Sequence, residues 1–297
     1  MRQTPDGSQY SKVHNAFHNT LNRYLEKFDF YDIFLVDHNT GDIVYSVFKE
    51  ADFATNLRNG PYRRSNIASA YEKANVLALA DAPIFVEFDY YAPSYGAPAA
   101  FIAKPIFDNG ERIGVLIFQM PITRINQIMT GNQHWVKDGL GETGETYLVG
   151  PDFTMRSVSR FLVEDREGYF AALEKLDYPS KTISQLDEFD TSILLQRVQT
   201  KASFGALSSK SSTGIIEDYR GINVLSSYGP IQFGDHQWAL ISEIDETEAF
   251  APINALARTL IISSLLIGAL VVGLAAYFSS QFTKPIISLA NAARKVG

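Results

Sequence analysis

Cysteine is absent from this 297-residue chain, which excludes a disulfide framework and any thiolate metal site. Histidine is scarce, at five residues, and only His14 and His18 have the i, i+4 spacing of a ligand pair. No Glu follows His14 in the H-E-x-x-H order, so the pair reads as a solvated helix face and no metal site is expected. Basic excess is also missing. The net charge of −7 excludes a phosphate-binding surface, and with it a nucleic-acid partner. The opening stretch MRQTPDGSQYSKVHNAF contains no apolar core of a signal peptide. An exported domain needs one, so an upstream segment with a first membrane helix is expected before Met1, and an output domain after Gly297.

Catalytic spellings are equally sparse. There is no G-x-S-x-G elbow and no P-loop. Gly139-Leu140-Gly141-Glu142-Thr143-Gly144 matches G-x-G-x-x-G in letters. Dinucleotide binding, however, needs a strand before the glycines and a helix after them, so that the pyrophosphate meets a helix N-terminus. Here a helical pattern precedes and a strand pattern follows, which makes the segment a turn. Asp37-His38-Asn39-Thr40-Gly41-Asp42 begins like a calcium loop, but its sixth and twelfth positions are Asp42 and Phe48 rather than Gly and Glu. A hairpin turn is expected. Nothing in the chain supports an enzyme, and no cofactor is expected.

What the chain does have is an uncharged run from Thr259 to Thr283, TLIISSLLIGALVVGLAAYFSSQF and the threonine after it. At about 1.5 Å per residue such a helix is roughly 37 Å long, enough to cross a bilayer core of about 30 Å. Acidic Glu243, Asp245, Glu246 and Glu248 precede it with Arg258, whereas Lys284, Arg294 and Lys295 follow. Basic flanks stay cytoplasmic, which puts the N-terminal part outside and the C-terminus inside. Ser264/Gly268 and Ala269/Gly273 are small-xxx-small pairs that permit close helix contact.

Before the span, two similar sets of elements are legible. Ser11 to Lys27 carries Val13, Phe17, Leu21, Tyr24 and Leu25 at helical spacing. Tyr31–Asp37 and Asp42–Phe48 read as strands, Asn66 to Ala80 as a helix after the Gly60-Pro61 break, and Phe85–Tyr91 as a strand. Asn109-Gly110 marks a tight hairpin between the next two strands. Pro121 opens a short helix with Ile122, Ile125 and Met129 on one face. Strands follow at Glu145–Gly150, Thr154–Ser159, Thr213–Gly221, Ile222–Gln232 and Trp238–Asp245, around a polar, helix-permissive stretch from Glu164 to Ser212. Pro105-Ile106 precedes Leu116-Ile117 much as Pro230-Ile231 precedes Leu240-Ile241. The expectation is an α+β chain with two tandem PAS-like modules. Each has a five-stranded antiparallel sheet, with a long N-terminal helix before them and one C-terminal transmembrane helix after.

Aromatic walls with a few polar anchors suit a small-molecule pocket. The stretch FVEFDYYAPSYGAPAAF supplies Asp89, Tyr90, Tyr91, Ser94 and Tyr95, and the preceding helix region supplies Tyr62, Arg63 and Tyr71. These eight are the candidate ligand-binding residues. A second group, Tyr147, Arg156, Arg160, Asp218 and Tyr219, reads instead as an Arg–Asp brace of the second sheet.

The strings YDIFLVDHNTGDIVYSVFKEADFATNL, YAPSYGAPAAFIAKPIFDNGERIGVLIFQMP and GLGETGETYLVGPDFTMRSVSRF resemble the double Cache sensor region of bacterial transmembrane receptors. Thr283-Lys284-Pro285-Ile286 with Leu289 resembles the start of a HAMP linker. The resemblance implies an N-terminal helix over residues 1–30 and a membrane-distal module over 31–121. A connecting helix and glycine turn would span 122–144, a membrane-proximal module 145–250, the span 259–283 and the HAMP start 284–297. It implies a homodimeric receptor in the cell membrane with both modules extracytoplasmic, taking an unidentified small-molecule ligand in the distal module. The output would be that of a methyl-accepting chemotaxis protein, a sensor histidine kinase or a nucleotide cyclase. An anchored extracellular enzyme and a structural tether are the rival classes. Amino-acid-binding members carry an Arg with a Trp-Tyr pair on the pocket helix. This chain has Tyr62, Arg63 and Arg64 there, and its tryptophans lie at Trp135 and Trp238.

Overall fold

The computed structural model describes residues 7–296. The chain divides into one compact unit ending at Glu246 and a second beginning at Thr247. Helix α1 (Gln9–Phe28) starts at Ser8, whose hydroxyl accepts the Ser11 amide at 3.1 Å, and stops at Asp29 in the left-handed region. Strands β1 (Asp32–Asp37) and β2 (Ile43–Ser46) form a hairpin. Its turn is closed by Asp37 Oδ1, which accepts from the amides of Asn39 and Thr40, and no calcium-loop geometry arises there. Helix α2 (Asn66–Ala74) follows, then β3 (Ile84–Tyr91), β4 (Ala97–Asp108) and β5 (Glu111–Gln119). Asn109 and Gly110 both take positive φ between β4 and β5, as a two-residue hairpin loop requires. The sheet order is β2-β1-β5-β4-β3.

Alternation sorts the first sheet. Phe34, Val36, Val115 and Ile117 face α2, where Ile67, Ala70 and Tyr71 are buried, while Ile33, Tyr45 and Val47 face α1. Helix α2 is shorter than the expected Asn66–Ala80. The Asn75 side-chain amide donates to the His38 carbonyl at 3.0 Å, the Leu77 carbonyl is taken by Arg112, and Val76 and Leu79 are exposed. The buried arc of α1 also differs from the apolar spacing. Val13, Phe17 and Tyr24 are exposed, and His14, His18 and Leu25 face the sheet. The two imidazoles stack 4.4 Å apart. His18 Nδ1 lies 2.9 Å from the Tyr45 hydroxyl and His14 Nε2 lies 2.8 Å from the Lys49 ammonium. The pair is therefore buried and partnered rather than solvated. Both arcs satisfy a 3.6-residue period, and the partners on the sheet decide between them.

After α3 (Ile122–Met129) and the glycine turn comes β6 (Glu145–Val149), then four helices. These are α4 (Arg160–Glu164), α5 (Arg166–Lys175), α6 (Ser180–Phe189) and α7 (Lys201–Leu207). Strands β7 (Ser212–Glu217), β8 (Asn223–Phe233) and β9 (His236–Asp245) complete a sheet of order β6-β9-β8-β7. The second sheet thus has four strands, not five. Its order matches the first sheet with β2 removed. Thr154–Ser159, expected as the missing strand, makes only isolated bridges, to Val149, Ile193 and Arg197. There Ser157 Oγ takes the Leu148 amide and Arg156 caps the Thr154 carbonyl, so side chains interrupt what a strand ladder would pair. The proline echo is real in register: Pro105 stands opposite Val115 and Pro230 opposite Ala239, each one residue before the Leu-Ile pair.

Within this unit the sheets are joined by an apolar cluster of Phe85, Phe88, Ala100, Leu148 and Trp238. Glu87 anchors it, accepting from Arg156 Nε at 3.0 Å and Trp238 Nε1 at 2.8 Å.

The second unit is helical. Helix α8 (Glu246–Ala249) bridges the unit boundary, α9 spans Ala251–Phe278 and α10 spans Lys284–Val296. A π-helical turn, Ser279–Thr283, joins α9 to α10, so Pro285 continues the helix rather than opening a new one. Pro285 has no N–H for the carbonyl four residues back, and a π turn is one way a helix absorbs that loss. From Ala251 to Arg294 the helix is long and apolar enough to cross a membrane. The Thr259, Ser263 and Ser280 hydroxyls donate back to helix carbonyls, which hides their polarity. Glu243, counted with the acidic flank, is buried in the sheet.

Candidate functional site

A cavity of about 1070 Å³ opens where the first sheet ends. Three features build it. Gln119 closes β5 in register with Asp32 of β1 and Phe101 of β4, placing an amide at the sheet's rim. The β3–β4 connection turns sharply through a 3₁₀ turn, Ala92–Ser94, with Tyr95 and Gly96 at positive φ. That turn folds Ser94 inward and leaves Tyr95 projecting. The third wall is distant in sequence, Glu188–Thr191 at the C-terminal end of α6.

A hydrogen-bonded chain lies along the floor. Tyr31 donates to Glu50 Oε1 and Ser94 donates to Glu50 Oε2, both at 3.0 Å, while Gln119 Nε2 donates to Ser94 Oγ at 3.2 Å. Asp32 and Asp52 are fully buried close by. Asp32 Oδ1 accepts the amides of Ile33, Val47 and Phe48, yet burial still pushes its carboxyl up to about 7. Asp52 accepts the Tyr91 hydroxyl, and burial raises its pKa as well.

Of the eight sequence candidates, Tyr90, Ser94 and Tyr95 line this cavity. The other five lie elsewhere. Tyr71 is buried under the sheet and donates to the His38 carbonyl at 3.0 Å. Tyr91 is buried on Asp52, with Tyr62 packed against the same core at a ring separation of 6.5 Å. Arg63 is exposed and donates to the Gly60 carbonyl. Asp89 is exposed and accepts the Tyr90 amide. Sequence reasoning missed Tyr31, Glu50 and Gln119. An acid directly after a strand pattern was the available signal for Glu50; nothing local marks Glu188–Thr191.

The second group is rearranged too. Arg156 pairs with Glu87 and Asp152, Arg160 pairs with Glu164, and Asp218 pairs with Arg220 at 2.7 Å. Tyr147 donates to Glu243 and Tyr219 to Glu145, both at 2.6 Å, on strands where Glu145 and Glu243 stand directly opposite. Burial holds both carboxyls up to about 7. The brace is real, but its arginine is Arg220.

Two antiparallel sheets, helices on the first sheet's faces and a rim cavity define an α+β fold. The family model of the Cache domain matches residues 4–253, and the chain belongs to that family. Among solved structures, the chain is similar to the ligand-binding domain of the amino acid chemoreceptor PctC of Pseudomonas aeruginosa, in complex with GABA. Identity is 13%, covering 82% of this chain and 84% of that one, with a TM-score of 0.46. It is also similar to the ligand-binding domain of the chemoreceptor CtaA of Pseudomonas fluorescens with L-isoleucine, at 14% identity, 80% and 78% coverage and a TM-score of 0.46. No curated protein sequence matches the chain.

Proposed function

We propose that this chain is the extracytoplasmic ligand-sensing and transmembrane-signalling part of a bacterial receptor, a methyl-accepting chemotaxis protein. One observation carries the reading: a Cache match over residues 4–253 and a membrane-length apolar helix, Ala251–Arg294, occur on the same chain. Residues 31–121 form the membrane-distal module and 145–250 the proximal one, joined through 122–144. The span, 259–283, lies in lipid, with Lys284 and Arg294 on the cytoplasmic side. A small molecule enters the rim cavity at Tyr90, Ser94 and Tyr95. Because that cavity has walls from both sheet regions, occupancy changes how they pack, and a two-state shift of this kind is what a receptor transmits. The receptor acts as a homodimer, supported by the exposed Tyr10, Val13 and Phe17 on α1.

Alkaline phosphatase fused before Gln9 should be active, and fused after Gly297 inactive; the reverse pattern overturns the orientation. A hybrid with a known chemoreceptor's cytoplasmic part should respond to a compound that raises the chain's melting temperature. Tyr90→Ala should abolish that response without lowering the hybrid's abundance. A hybrid that signals equally with Tyr90→Ala and Ser94→Ala excludes this cavity as the sensing site.

A further inference from the structure

The cavity has a marked chemical bias. Five acids line it (Glu26, Asp29, Glu50, Glu188 and Asp190), and among the described residues no Lys, Arg or His does. Asp190 is neutralised from outside by Arg166. Lys49, next to Glu50 in sequence, points away to His14 Nε2 and the Ser46 carbonyl. The rings of Phe30, Tyr31, Phe48, Tyr90, Tyr95 and Phe189 complete the wall.

Three buried acceptors at or behind the floor are unfilled. Gln119 lines the cavity, is 3% exposed, gives its N–H to Ser94, and leaves Oε1 without a partner. Behind it, Asp32 Oδ2 and Asp52 Oδ1 are likewise unpartnered. An orphaned buried acceptor carries an unrecovered desolvation cost, so a donor arriving at Gln119 gains what the empty site forgoes.

We infer that this cavity takes a primary organic ammonium ion that bears no carboxylate. The inference rests on the reading that the cavity is the ligand site. The ammonium N–H groups reach Gln119 Oε1 and Glu50, and the positive charge lies among ring faces that attract cations. Among the charged side chains of the lining a ligand carboxylate would meet only acids, with no base to receive it. A quaternary ammonium would keep the ring attraction but offer no N–H to Gln119.

The test is a matched set on the full chain in detergent, by calorimetry and thermal shift, up to about 10 mM. The probes are benzylamine, benzyl alcohol, benzyltrimethylammonium and phenylglycine. Benzylamine should bind at least about tenfold more tightly than benzyl alcohol or phenylglycine, and more tightly than the quaternary ion. Glu50→Gln should weaken benzylamine about tenfold while leaving benzyl alcohol unchanged. If Glu50→Gln fails to fold, Gln119→Met should erase the advantage of benzylamine over benzyltrimethylammonium. Preference for benzyl alcohol or phenylglycine, lost in Tyr90→Ala, overturns the cation assignment and leaves the ligand cavity standing. No binding by any of the four overturns the cation assignment, and the Tyr90→Ala and Ser94→Ala hybrids then decide the ligand cavity separately.

Discussion

The two sheets differ in how far their buried carboxylates are paired, although Glu243 Oε1 in the second is unpartnered too. In the second, Glu145 has both oxygens occupied, by the Tyr219 hydroxyl on one and the Arg160 amide on the other. Arg220 ties Asp218 to Asp245 at 2.7 Å on each side and lies 3.6 Å over the Phe161 ring. In the first, Asp32 and Asp52 have no arginine partner among the described residues, and each retains an unpartnered oxygen. A satisfied network rigidifies its surroundings, whereas orphaned acceptors beside a cavity are free energy withheld until a donor arrives. On the proposed reading, the four-stranded region is the support and the five-stranded one the receiver.

The largest effect should come from breaking the support. Arg220→Met leaves Asp218 buried without a counter-charge and should cost about 3 kcal/mol in urea unfolding followed by tryptophan fluorescence. Asp52→Asn in the first region keeps an acceptor for Tyr91 and removes an uncompensated acid, so its cost should stay below about 1 kcal/mol. Equal costs would erase the contrast.

Next is pH. Glu145, Glu243 and Asp32 are all raised by burial to about 7 in the folded chain. A raised carboxyl binds its proton more readily folded than unfolded. Its stabilisation is full below the unfolded pKa, near 4, and is lost as pH rises through about 7. Each of the three groups should make the chain roughly 2 kcal/mol more stable at pH 5 than at pH 8. Glu243→Gln should flatten that slope more than Asp32→Asn, because Glu243 faces a second carboxyl across the strand pair. A slope carried by Asp32 alone would move the proton-sensitive element to the first sheet.

Tyr71→Phe removes one hydrogen bond to the His38 carbonyl and should cost about 1 kcal/mol. Ligand affinity should not change, since Tyr71 lies beneath the sheet rather than in the cavity. A loss of affinity in titration would return Tyr71 to the binding set. Smallest is Phe17→Ala, expected within about 0.5 kcal/mol because that ring is exposed on α1. Its effect belongs in sedimentation, as a reduced dimer fraction.

Much of this organisation is local physics and was readable in one dimension. The strands alternate, Asn109-Gly110 and Asp37–Gly41 turn where their side chains require, and the run after Thr259 is apolar on every side. Those features depend on neighbours within a few residues, which the sequence displays directly. Which arc of α1 faces inward was undecided by periodicity, because both arcs repeat every 3.6 residues. Tyr45 and Lys49, some 30 residues away, chose the histidines. The same holds for Arg220 over Arg156 as the partner of Asp218, and for Glu87 as the clasp on Trp238. The cavity is the extreme case, since Tyr31, Glu50, Ser94, Gln119 and Glu188 meet only after two sheets have packed. Charge pairing and enclosure are properties of distance in space, and chain order carries no record of that distance.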